Sequence, residues 1–271
     1  MKKLILLLSI IALPLSGWPF FTHKPHDPAK LEAIKQQLLD QQARAYRDLE
    51  HVMVFEAAEL KEKKAKLQKE FIEYITAPSQ PYDLIAYRDP ALPQSVIDQV
   101  EKNLKKMGIN PKKIHIQKSH SHSSLFGLEY DISCQEIPQI KRIYINIHSS
   151  DFDPSKIDAT TTHEGKHALE GHVLNRLIHD AFKKRVSLYE HLSYKAEELV
   201  ADGIPAIQDP NIAKQHYLYH QCHINNNRTP YTLEELAKSC SPGDTHPTDS
   251  SRCQLAQDIL IAHFGKMPKN L

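Results

Sequence analysis

The stretch Thr160-Thr161-Thr162-His163-Glu164-Gly165-Lys166-His167-Ala168-Leu169-Glu170-Gly171-His172 organises the reading of the whole chain. Four helical residues turn the backbone by about 400°, so His163 and His167 project from one face, one turn apart. Two imidazoles so placed can share one tetrahedral metal ion, and Glu164 projects beside them, within reach of the proton of an attacking water. Ala168, Leu169, Val173, Leu174, Leu177 and Ile178 supply an apolar face, and Asp158 or a nearby threonine is the expected N-cap. Gly165 is the local misfit, since glycine costs a helix interior about 1 kcal/mol.

A catalytic metal of this kind takes a third protein ligand and keeps its fourth position for water. Downstream, Glu198-Leu199-Val200-Ala201-Asp202 sets two carboxylates four residues apart on one helical face. If the chain reverses near residues 184–187, His167 lies about 25 Å back along one helix and Glu198 roughly 20 Å along the next. In an antiparallel hairpin those levels nearly match. Glu198 is then the expected ligand, with Glu190 and Glu197 as competitors, and Asp202 stands behind it as a partner for a ligand histidine.

Outward from this core the pattern alternates between helices and a short sheet. Residues 29–75 contain no glycine or proline, and Leu31, Ile34, Leu38, Leu49, Val52, Phe55, Leu60, Leu67, Phe71 and Ile75 recur at helical spacing. That segment is one very long helix or two in a hairpin, free to clamp the rest of the chain, to pack as an ordinary helix, or to bind a protein partner. A helix is expected from Pro93 to Met107. Strands are expected at Lys113–Gln117, Leu125–Ile132 and Arg142–His148, the last alternating as a half-buried strand does. Helices follow at about 157–183, 187–202, 211–223, 231–239 and 249–264, the second ended by Gly203 and Pro205. The class is α+β: mainly helical, with a small β-sheet, preceded by a long helix or helical hairpin.

Lys and Arg number 34 against 33 Asp and Glu, a net charge of +1, so neither nucleic acid nor an anionic membrane surface is an indicated partner. The 17 histidines raise the expectation of metal chemistry. Lys2 and Lys3 precede an apolar run from Leu4 to Leu15, then Ser16 and Gly17, the form of a signal peptide over 1–17. The mature chain is expected to be periplasmic or secreted with no stable membrane span; an uncleaved N-terminal anchor is the alternative. Export permits disulfides among Cys134, Cys222, Cys240 and Cys253, with Cys240–Cys253 the first expectation. His216, His220 and His223 form a second histidine group beside Cys222, either a second metal site or ordinary polar residues. His120 and His122 lie in a Ser/His loop.

The set His-Glu-x-x-His, then Glu-x-x-Ala-Asp, then His246-Pro247 with Arg252 a few residues on, resembles the HtpX, Oma-type and CAAX prenyl protease family of gluzincin metallopeptidases. His172 echoes that family's His-Glu-x-x-His-x-x-x-x-His form. The resemblance covers residues 93–264 and implies one zinc ion per chain held by His163, His167 and Glu198, with Glu164 as catalytic base and Asp202 in the second shell. It also implies that His246 and Arg252 lie near the substrate or the fourth metal position. Thr160–Thr162 before the motif and Gly165-Lys166 within it depart from the family's apolar residues, and the spanning segments of its membrane branches are missing. A soluble, exported, divergent member is expected, with a helical N-terminal segment at 18–80 and a zincin-like metallopeptidase domain at 81–271. The implied function is zinc-dependent hydrolysis of peptide bonds in unfolded or extended protein segments, in quality control of exported proteins. An extended substrate is expected to add to strand Arg142–His148. The alternative is a catalytically weak zinc-binding scaffold whose segment 29–75 binds a protein partner.

Overall fold

The computed structural model describes residues 24–52, 58–79, 86–121, 123–131, 139–174, 188–220, 222, 229–238 and 246–269. The expected signal peptide lies outside them. Among the described residues the fold is α+β, mainly helical with one three-stranded mixed sheet. No helix among them is long and apolar enough to cross a membrane.

The N-terminal segment is two helices, α1 (Pro28–Val52) and α2 (Ala58–Thr76), and each packs into a different core. Leu31, Ile34, Leu38, Ala45 and Leu49 are the buried stripe of α1. It lies along α5 (Leu188–Gln208) and touches α8 (Asp249–Phe264). The contact with α5 is close: a Cβ on Gly203 would come within 2.4 Å of Leu38 Cδ1. The start of α1 is tied down as well, His26 N–H donating to the His263 carbonyl and Asp27 N–H to that of Ala262.

The second core joins α2, α3 (Gln94–Lys106) and the sheet. Strands β1 (His115–Lys118), β2 (Leu125–Asp131) and β3 (Gln139–Ile147) stand in the order β1-β3-β2, β1 parallel and β2 antiparallel to β3. Ile143, Ile145 and Ile147 point into that core, as the alternation requires. The strand expected to edge the cleft is therefore the central one. Both sides of β3 are already paired, so no substrate strand can add to it. Residues beside Arg88 cover β1, with Tyr87 C=O accepting from Ile116 N–H and Asp89 N–H donating to Ile116 C=O. Among the described residues, that leaves the outer side of β2 as the sheet's open edge.

Helix α4 (Pro154–Leu169) lies between the two cores, Ala159 contributing to the first and Ile157 and Ala168 to the second. Its polar residues are satisfied from within. Thr161 Oγ1 donates to the Ile157 carbonyl and Thr162 Oγ1 to that of Asp158, both at 2.7 Å, which is how hydroxyls survive burial on a helix. Two expectations fail nearby. The N-cap is Asp153, accepting from Ser155 N–H at 2.8 Å with Pro154 in the first helical position, whereas Asp158 lies inside the helix and accepts from Gln99 and Asn103. The same Asp-Pro start opens α1 at Asp27 and α6 (Pro210–Tyr219) at Asp209. In turn, α5 does not end at Gly203 and Pro205 but runs on to Gln208, with Ile204 and Ala206 buried in the first core on either side of the proline. It stops at Asp209, which the following Pro210 forces into extended backbone. At the start of the short α7 (Leu233–Lys238), Thr232 Oγ1 accepts from Glu235 N–H.

The disulfide is Cys222–Cys253, not the expected Cys240–Cys253. Helices α6 and α8 pack side by side, which brings the residue just past the end of α6 against the first turn of α8. Cys134 and Cys240 lie outside the described residues.

Candidate metal centre

On α4 the Nε2 atoms of His163 and His167 are 3.1 Å apart. From α5, Glu198 brings Oε2 to 3.1 Å from His163 Nε2 and Oε1 to 3.4 Å from His167 Nε2. Ligand atoms about 2.0–2.1 Å from a tetrahedral ion lie about 3.3 Å from one another. The three contacts thus match three corners of one tetrahedral shell, and the group could hold a metal ion. The competing carboxylates are used elsewhere: Glu190 Oε1 accepts from Tyr194 and Glu197 Oε1 from Tyr46.

Behind His163, Nδ1 lies 2.7 Å from Asp202 Oδ1. Arg252 in turn donates Nε to Asp202 Oδ2 at 2.6 Å and Nη2 to Oδ1 at 2.8 Å, a bidentate clamp. Burial works against charge here, yet Arg252 and then the neighbouring histidines hold the Asp202 carboxyl well below its usual range. Burial opposes the protonated form of His163 too, but Asp202 and Glu198 together raise it to about 10. Without metal that imidazole carries a proton, which a cation would replace. Arg252 acts through Asp202, behind the centre. Its Nε and Nη2 are committed to that buried carboxylate. His246 is at the front: it is exposed, with Nε2 3.7 Å from Glu198 Oε2.

His167 is supported differently. Its Nδ1 lies 2.8 Å from His172 Nδ1, and His172 Nε2 lies 2.6 Å from the side-chain amide of Gln42 on α1. In an unbroken helix residue 172 would point about 140° away from residue 167. Gly171, at φ +72°, breaks α4 and turns His172 back beside it. When His167 Nε2 is a metal ligand, Nδ1 holds the proton and donates to His172, whose own Nε2–H must then be accepted at Gln42. The amide serves when its oxygen rather than its nitrogen is turned to the ring, since only the oxygen accepts.

Glu164 is held by the sheet. Phe126 N–H of β2 donates to its Oε2 at 2.8 Å. Backbone groups of an antiparallel strand alternate between the two sides, so those of Phe126 and Leu128 face away from β3, on the open edge. Gly165 has a steric reason: its Cβ would sit 2.7 Å from Met107 Sδ, where the end of α3 meets α4.

The second histidine group is buried rather than superficial. His216 and His220 are 6% and 5% exposed, and a ligand atom of each lies within 4.8 Å of the other and of an Asp202 oxygen. His122 and His223 lie outside the described residues, and His120 is exposed. Gln42 was missed by the sequence reading. Its signal is a polar residue in the buried stripe Leu31, Ile34, Leu38, Gln42, Ala45, Leu49.

No family model, curated protein or solved structure matches this chain.

Proposed function

We propose that the chain is a zinc-dependent endopeptidase of the gluzincin type, with a zincin-like active-site arrangement, acting on unfolded or extended segments of exported proteins. One convergence supports this above all: His163, His167 and Glu198 sit at mutual distances of 3.1–3.4 Å while Glu164, on the same helix, is held at the open edge of the sheet. Two imidazoles, a carboxylate and an adjacent base suit zinc with an open fourth position better than the all-oxygen shells of magnesium or calcium.

When bound at these three ligands, zinc would polarise the scissile carbonyl and acidify the attacking water. Glu164 takes the proton of that water and passes it to the leaving nitrogen. The Phe126 amide fixes the carboxylate for this transfer. Asp202, itself held by Arg252, accepts the Nδ1–H of His163 as a hydrogen bond, and His172, backed by Gln42, accepts that of His167. The open edge of β2 offers the backbone groups of Leu128 to a substrate in extended form, and main-chain pairing of that kind favours unfolded segments over compact folds. His246, at the mouth, is placed to contact substrate or the fourth metal position. The resemblance to the HtpX and Oma-type peptidases points the same way.

The test is cleavage of an unfolded model protein by the unsubstituted chain and by Glu164→Gln, both zinc-loaded. Cutting by the first, with loss of at least a hundredfold in the second, is expected, the range over which a general base contributes. If both bind zinc and neither cuts, the scaffold reading replaces the enzyme.

A further inference from the structure

We propose that His216 of α6 and His220 at its C-cap, with Asp202 of α5, form a second metal site, separate from the one on α4. The two imidazoles are one helical turn apart, with ring planes 7° from parallel and centroids 6.2 Å apart. One nitrogen of each ring and one oxygen of Asp202 lie within 4.8 Å of one another, and all three residues are buried. Among the described residues each ring keeps a buried Nε2 with no hydrogen-bond partner. A buried polar atom left so costs about 1–3 kcal/mol.

The partners of the other nitrogens fix what the two Nε2 atoms offer. His220 Nδ1 lies 2.9 Å from Asp249 Oδ1. That carboxylate takes the ring's N–H and leaves a lone pair at Nε2, the carboxylate–histidine arrangement that orients metal-ligating imidazoles. His216 Nδ1 faces Asp202 Oδ1 at 3.5 Å. Both rings are buried, where a neutral, lone-pair-bearing imidazole is the cheaper form.

The charge of Asp202 is already balanced by Arg252. An ion here is held mainly by imidazoles, which selects zinc, nickel or copper over magnesium and calcium and makes this the weaker of the two sites. Its ligands come from α5 and α6, beside the Cys222–Cys253 bridge that joins α6 to α8. Filling it pins α6 to the helix that carries Glu198. A bonded water is the competing occupant of the same space.

Zinc saturation followed by metal analysis and native mass spectrometry separates the cases. The unsubstituted chain should hold two equivalents, and His167→Ala, His216→Ala and His220→Ala one each. Two equivalents retained by His216→Ala, or one in the unsubstituted chain that His216→Ala leaves in place, overturns the proposal. One equivalent lost in His216→Ala and kept in His167→Ala upholds it and sinks the reading of the α4 centre instead. Should the variants fold poorly, crystals of the unsubstituted, zinc-soaked chain decide by anomalous scattering at the zinc edge. A peak within coordination distance of His216 and His220 is expected; density without anomalous signal means water and refutes the site.

Discussion

Two histidine pairs stand one turn apart on neighbouring helices, His163 and His167 on α4 and His216 on α6 with His220 at its C-cap, and α5 offers each pair one carboxylate. Glu198 and Asp202 are themselves one turn apart, so a single helix face serves both. What differs is the company each pair keeps. Beside the first, the residue after the leading histidine is Glu164, held on a strand edge, and exposed His246 marks a mouth. Beside the second, the corresponding residue is Tyr217, a phenol in place of a carboxylate, and the site's own carboxylate is already clamped by Arg252. Spacing four makes a pair of metal ligands. A base one residue on, and an open edge to present substrate, turn such a pair into a catalytic site.

Asp202 belongs to both centres, so its removal breaks the comparison most severely. In Asp202→Ala the Arg252 guanidinium is left buried without its partner, at a cost of about 3–5 kcal/mol in stability. Zinc affinity of the α4 centre should fall 10- to 100-fold. Denaturant titration of the metal-free chain and competitive chelator titration read the two effects separately. An intact affinity would show that His163 needs no such support.

A substitution at Gln42 should sharpen the contrast, because it reaches only the α4 pair. Gln42→Met removes the acceptor that His172 needs, and zinc affinity at that centre should drop about tenfold with the second centre unchanged. Gln42→Glu, which still accepts, should stay within a few-fold of the unsubstituted chain. Equal losses in both variants would reduce Gln42 to a packing residue. The smallest effect is expected at Gly165→Ala, where Met107 must give way. Stability should change by no more than about 1 kcal/mol, read from urea unfolding, because the helix gain from alanine offsets the shift of the flexible Met107 end, and zinc stoichiometry should be unchanged.

Local periodicity made much of this legible. The helical motif and the placing of Glu198 and Asp202 on one helix face follow from 3.6 residues per turn. The reversal expected near 184–187 lies outside the described residues, and Gly171 at φ +72° interrupts the first arm of the expected hairpin. Other features depend on contacts distant in sequence. Gln42 meets His172 across 130 residues. That β3 is central and β2 the edge depends on which strands pair, which alternation within β3 does not reveal. Pro205 was read as a stop because a proline removes one helical hydrogen bond, about 3 kcal/mol in isolation. The burial of Ile204 and Ala206 against the first core is a tertiary effect that overrides it. Asp153-Pro154 carries the cap signal of α4 in the sequence itself, an aspartate followed by proline at the first helical position.

The most direct measurement is X-ray absorption at the zinc edge of the chain loaded with a single equivalent. The α4 triad predicts two imidazole nitrogens and carboxylate oxygen at about 2.0–2.1 Å, altered in His167→Ala and preserved in His216→Ala. Sulfur ligation near 2.3 Å, or a spectrum that His167→Ala leaves unchanged, would contradict it.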